Sequence, residues 1–182
     1  MAKGDVTIVG RMAYVDFFED AITTVPAKID TGADISSVWA SDIHVAENGV
    51  LQFRLFGETS PFYTGKVLSH KHFGVMLVRN SSGHEQIRYS VKMSVAIDTR
   101  RVLATFTLSE RSKNNFPILI GSKLLKNKFI VDVSKRRTTY KKICDDSRDP
   151  KYQGSQYYTK LSHENPKLFY NQYYLNQNGD QS

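Results

Sequence analysis

The chain has 182 residues, a formal net charge of +7 and 40% hydrophobic residues, which suits one well-cored domain with an appendage rather than two ordinary domains. No apolar run approaches the roughly 20 residues that cross a bilayer as a helix, so no membrane role is expected. The single cysteine, Cys144, excludes an intrachain disulfide and a multi-cysteine zinc cage.

Met1-Ala2-Lys3-Gly4-Asp5 leads directly into strand-like sequence, without the apolar core and small-residue cleavage site of a secretory signal, so a cytoplasmic location is expected. The basicity is concentrated late. Residues 135–182 carry nine Lys or Arg against five acids, a surplus of four, and the preceding 134 residues supply the other three charges. A basic, tyrosine-rich tail can meet nucleic acid through phosphates and stacking, but solvated tails share this composition and nucleic acid is not the expected partner.

Taken in order, Val6 to Phe17 is rich in β-branched and aromatic residues and predicts a strand or bent hairpin arm with Gly10 as a bulge. Pro26 opens a short strand through Ile29, and Asp30-Thr31-Gly32 ends it in a tight turn that carries a carboxylate. Ser36 to Ala40 continues in extended form, with Trp39 assigned to the core. Val45 and Leu51 flank Glu47-Asn48-Gly49, and Asn-Gly between alternating apolar segments predicts a hairpin. Phe62 to Leu68 and Val75 to Arg79 read as strands, and Asn80-Ser81-Ser82-Gly83 as a polar turn before a strand from Glu85. A further hairpin turns at Asp98 to Arg101 and returns to Leu108.

Phe116 to Gly121 reads as a buried strand, followed by a short helix that Ser122 is placed to cap. Phe129 to Val133 closes the domain. After residue 134 the apolar periodicity fails, and a largely flexible tail over 135–182 is expected, with a helical turn or two near Pro166. The fold class predicted is mainly β: a single closed barrel over residues 1–134 with one short helix.

Asp30-Thr31-Gly32-Ala33 after a strand, and Leu119-Ile120-Gly121 before a short helix, resemble the paired elements of retropepsin-like aspartic peptidases. With Ala27 to Ala40, Val78 to Glu85 with Arg88-Tyr89, Phe106 to Ser112, and Leu119 to Val133, the chain is similar to the bacterial RimB-like family over roughly residues 8 to 135. That family is often labelled an ATP-dependent zinc protease. The five histidines form no His-Glu-x-x-His arrangement, His70 and His72 would share one strand face that more often is a solvated edge, and no phosphate-binding Gly-rich Lys-Ser/Thr loop is present. Neither zinc, ATP nor any other cofactor is expected.

An aspartic peptidase needs two carboxylates sharing a proton, and this chain has one Asp-Thr-Gly. Asp98-Thr99-Arg100 lacks the glycine and reads as a hairpin turn. The second carboxylate is therefore expected from another copy, giving a two-fold homodimer. Asp30, Thr31 and Gly32 are the expected catalytic residues; the resemblance implies that Thr31 hydrogen-bonds across the dimer axis. Ala33 cannot donate the hydrogen bond a serine would, which predicts activity extending toward neutral pH.

The hairpin from Arg79 through Ser82 and Gly83 to Glu85 is the candidate flap. Lys28, Arg79 and Arg88 bring cations near the cleft and suit an acidic peptide, although Arg79, Arg88 and Arg111 read equally well as surface charge or ion pairs. The resemblance also implies association with a ligase that adds glutamates to a ribosomal-protein tail, and hence a glutamylated protein or peptide as substrate. The alternative is a dimeric binding or adaptor module with the peptidase fold and no activity.

Overall fold

A computed structural model describes residues 6–79, 83–135 and 159–170. Residues 1–137 and 138–182 form separate compact units. In the first unit the strands are β1 Thr7–Val9, β2 Met12–Phe17, β3 Ile22–Asp30, β4 Ser36–Val45, β5 Leu51–Leu55, β6 Val67–His70, β7 Phe73–Arg79, β8 Glu85–Ile97, β9 Arg100–Ser109, β10 Ile118–Gly121 and β11 Phe129–Val131, with one short helix, α1 Ser122–Leu125.

Six of these close a barrel in the order β10-β3-β2-β8-β9-β4, because β4 returns to pair with β10. Closure removes the sheet edges that a small β-protein must otherwise protect. β5 and β6 extend the sheet from β4, and β7 pairs with the distal half of β8. The core is the inward row of each strand: Leu51, Phe53 and Leu55 on β5, Val91, Met93 and Val95 on β8, Val102, Ala104 and Phe106 on β9. Phe17 and Phe56 meet edge to face with ring centroids 6.1 Å apart. Trp39 is buried as expected.

Several expectations are met in detail. The Asn48-Gly49 turn joins β4 to β5, with Gly49 at a positive φ of 76° and the Val50 N–H bonded to Asn48 Oδ1 at 3.1 Å. Asp98 occupies the two-residue turn between Ile97 and Arg100, and its Oδ1 accepts from the Tyr14 N–H at 3.0 Å.

Four readings are corrected. The arm from Val6 to Phe17 is two strands, because β1 leaves the barrel to pair in parallel with β11. Pro26 lies inside β3 rather than opening it: the Ile29 N–H bonds Arg11 O on the β2 side, so by alternation Pro26 N faces the other side, where the β10 pairing begins only at Ala27.

Strand structure begins only at Val67, not Phe62. Residues 57–66 form turns held by a Ser60 amide bond to Gly57 O and by Thr64 Oγ1 donating to the buried Asp20 carboxylate. His70 and His72 do not share a strand: His70 ends β6, stacked on Phe53 and paired with Glu19 at 3.1 Å, and His72 lies in the turn that follows.

In the second unit residues 159–164 are helical and a further helix spans Pro166–Tyr170, meeting the expectation of helical turns there. The flexible-tail expectation otherwise falls outside the described residues. Among the described residues no helix is long and apolar enough to cross a membrane.

Candidate active site

The barrel positions Asp30 by an unusual local topology. β3 ends at Asp30, the chain turns, and β4 leaves in a new direction; β10 then threads between the two, parallel to β3 and antiparallel to β4. Its register sets Ile118 beside Ala27, Ile120 beside Ile29 and Gly121 beside Asp30. Strands fixed on both flanks leave the Asp30 turn little freedom to move.

The turn is closed by the Ala33 N–H bonding Asp30 O at 3.3 Å. Within it the Gly32 N–H donates to Asp30 Oδ1 at 3.1 Å, so one carboxylate oxygen is oriented by backbone. The other oxygen lies 3.3 Å from Lys28 Nζ, two residues back on the same strand face. The Asp30 side chain is 28% exposed and Thr31 and Gly32 are exposed, so the Asp-Thr-Gly triplet faces outward from the single chain.

Beneath the turn a polar lattice replaces apolar packing. The Gly121 N–H donates to Ser36 Oγ at 3.0 Å, Thr107 Oγ1 donates to Ser36 O at 3.3 Å, and Ser37 Oγ and Ser109 Oγ are 2.7 Å apart, all buried. Each group is paired, which is what makes a buried polar cluster tolerable. Ser122 does not cap α1 through its side chain. The first amides of the helix instead bond the turn itself, Ser122 N–H to Ala33 O at 2.7 Å and Lys123 N–H to Asp34 O at 3.1 Å, and these bonds tie the helix to the Asp30 loop.

Beside the turn lies a cavity of about 540 Å³ lined by Arg11, Met12, Lys28, Ile29, Thr31, Phe116, Val131 and Val133. It has two cationic side chains, apolar walls and no acidic residue. It therefore offers room for a side chain with a hydrocarbon stem and an anionic head.

The expected substrate residues fall in three places. Lys28 and Ala33 belong to the Asp30 loop and the strand leading into it. Arg79 sits at the end of β7 opposite Glu85, and its Nε donates to Glu85 Oε1 at 2.9 Å, so its charge is already matched within the hairpin. Gly83 adopts a φ of 82° in the turn, while Ser82 lies outside the described residues. Arg88 lies on β8 opposite Met76, half-buried, with Nε donating to Gln86 Oε1 at 2.8 Å. Among the described residues no group of three or more His, Cys, Asp or Glu is gathered that could hold a metal ion.

Sequence reading missed Ser36, Arg11 and Phe116. Ser36 carried a signal, a small hydroxyl residue opening the strand that follows the Asp-Thr-Gly turn. Arg11 and Phe116 reach the site only through the β2-β3 and β3-β10 pairings, which have no local signature.

The comparisons agree with this geometry. A family model described as retropepsin-like aspartic endopeptidase RimB matches residues 8–142. A protein named "Probable alpha-L-glutamate ligase" from Desulfotalea psychrophila is 23% identical over 129 residues, 69% of this chain and 28% of that protein. The chain thus spans little more than a quarter of that relative's length. The crystal structure of Lpg0085 from Legionella pneumophila, a protein of unknown function, matches with a TM-score of 0.58 at 20% identity, covering 74% of this chain and 99% of that one, a likeness of fold. The threaded Asp30 turn and a family match over most of its length place this chain in the RimB-like family of retropepsin-like aspartic endopeptidases.

Proposed function

We propose that the protein is an aspartic endopeptidase that works as a homodimer and cleaves glutamate-rich peptides or protein tails. The observation that carries this reading is the Asp30 turn, a backbone-oriented carboxylate at an exposed surface with a cationic, acid-free cavity at its side. Two such carboxylates, one from each copy, share one proton. The ionised one takes a proton from a water as it attacks the scissile carbonyl, and the protonated one donates to the carbonyl oxygen.

A second copy is required because Asp98, the nearest sequence echo of Asp30, is committed to the β8-β9 turn and to Tyr14. Thr31 and Gly32, exposed on the single chain, are the natural contacts across the two-fold axis. The β7-β8 hairpin is the flap that closes over the substrate.

Preference for acidic substrates is supported by the cavity chemistry, in which Lys28 and Arg11 meet a carboxylate while Met12, Ile29 and Phe116 cover its methylenes. It is supported also by the matched segment of a relative named as a glutamate ligase. Incubating the protein with an oligoglutamate peptide and with a neutral peptide, and following products by mass spectrometry, tests it. Cleavage of the acidic peptide is expected; cleavage of both alike, or of the neutral one alone, contradicts the substrate class.

A further inference from the structure

Among the described residues Arg88 and Arg111 have no carboxylate partner. Each is half-buried. Their hydrogen bonds go to neutral acceptors, Arg88 Nε to Gln86 Oε1 at 2.8 Å and Arg111 Nε to Phe116 O at 3.2 Å. Both contacts use Nε, and among the described residues the two terminal nitrogens of each fork make no hydrogen bond.

The sheet brings them together. The β8–β9 ladder runs from Ser90–Thr107 to Ile97–Arg100; Arg88 precedes its first pair on β8 and Arg111 follows the end of β9 at Ser109, so both stand at the same end of the ladder. The neighbouring acid does not neutralise them, because the Glu110 carboxylate turns to the Ser112 N–H at 2.6 Å. Burial holds both guanidinium groups below their ordinary pKa, and the Arg88 charge lowers Arg111 further. Two partly desolvated like charges are a cost in the folded chain that a bound anion would offset.

The location ties the pair to catalysis. Arg88 is on the flap strand, and Phe116, which anchors Arg111, also lines the cavity beside Lys28 and Thr31. We propose that Arg88 and Arg111 form a second carboxylate clamp, gripping an acidic side chain of the substrate other than the one that enters the Lys28 cavity. Specificity would then demand two acidic residues in the peptide. The inference rests on the peptidase reading and deepens it to a particular subsite. Neither arginine touches the reacting atoms, so both are specificity residues.

The test uses the full chain carrying Asp30→Asn, so that binding is read without turnover, with a fluorescent oligoglutamate peptide and a neutral peptide of equal length. Arg88→Gln and Arg111→Gln are each expected to weaken oligoglutamate binding by about tenfold or more, the loss of a bidentate contact, and to leave neutral-peptide binding unchanged. Arg111→Lys should recover only part, since it keeps the charge and loses the fork. Among the described residues Arg88→Gln removes only a hydrogen bond to exposed Gln86 and so guards against misfolding of the Arg111 variants.

Unchanged oligoglutamate affinity, or equal weakening for both peptides, overturns the clamp. So does dissociation of the variants to monomers in sedimentation, which would assign the counter-charge to a second copy of the chain. If the wild type binds oligoglutamate through these arginines yet cleaves nothing, the clamp stands and the peptidase reading fails.

Discussion

Gly121 stands directly beside Asp30 in the parallel pairing of β3 and β10, and its N–H is held by Ser36 Oγ at 3.0 Å. A methyl group at Gly121 would lie 2.6 Å from the Ile35 carbonyl carbon, 2.8 Å from its oxygen and 2.9 Å from Ala33 O. All are backbone atoms of the Asp30 turn and the residues after it, so none can swing aside. Gly121→Ala is expected to destabilise the protein by about 1–3 kcal/mol, as overpacking commonly does, and to abolish cleavage by displacing Asp30. Thermal unfolding beside a cleavage assay checks both; a wild-type melting temperature would show that β10 is not so tightly wedged.

Ser36→Ala removes the acceptor of the Gly121 N–H and leaves a buried donor unpaired. A cost of about 1–3 kcal/mol is expected from the orphaned group, with activity falling at temperatures where the variant is still folded. Ser36→Thr keeps an oxygen at that position and should recover part of the loss. Denaturant titration of the two variants separates the hydrogen bond from mere packing.

Lys28→Gln removes the cation that bridges the cavity and Asp30 Oδ2. Oligoglutamate cleavage is expected to lose about tenfold in kcat/KM or more, mainly through KM, as loss of a charge pair to substrate does, with neutral peptides cleaved no more slowly. A fall in kcat alone, equal for both peptides, would assign Lys28 to the chemistry instead.

Acid should loosen the strand exit that carries Arg111. Burial tends to raise the Glu110 carboxyl pKa, but hydrogen bonds from Ser112 outweigh it, with the Trp39 indole and the Arg111 amide contributing, and the net shift is downward. The buried Trp39 Nε1 lacks a partner in hydrogen-bonding geometry, so its effect on Glu110 is that of a nearby dipole. A carboxyl whose folded pKa lies below its unfolded value adds stability above the unfolded pKa and loses it as pH falls through the folded one. Stability of the wild type should therefore decline below about pH 4.5, the ordinary glutamate value, and Glu110→Gln should flatten that decline. Melting temperatures of the two proteins between neutral and acidic pH decide it; parallel curves would remove Glu110 from the effect.

Strand identity was legible wherever apolar residues alternate, as in Leu51-Gln52-Phe53-Arg54-Leu55, because one sheet face is buried and the other is not. The Asn48-Gly49 hairpin and the Asp98 turn were legible because their backbone demands particular residues. The Asp30-Thr31-Gly32 turn and its glycine partner at 121 stood out as a spaced pair of short motifs. Non-local relations were not legible: the parallel β1-β11 pairing, the place of Pro26 inside β3, and the approach of Arg11 and Phe116 to Lys28 all depend on which strands become neighbours. The stretch from Phe62 misled because aromatic residues favour strands, yet Phe62 packs on Phe56 from a loop pinned by Thr64 and Asp20. For Arg79 the letters could not distinguish a substrate contact from its cross-strand partner Glu85.

Asp30 is one half of the proposed catalytic pair, and the most direct measurement is oligoglutamate cleavage by wild type and by Asp30→Asn at matched dimer concentration. The expected result is cleavage by the wild type and none detectable by Asp30→Asn, which keeps an oxygen for the Gly32 N–H and should remain folded and dimeric. Undiminished cleavage by Asp30→Asn would contradict it.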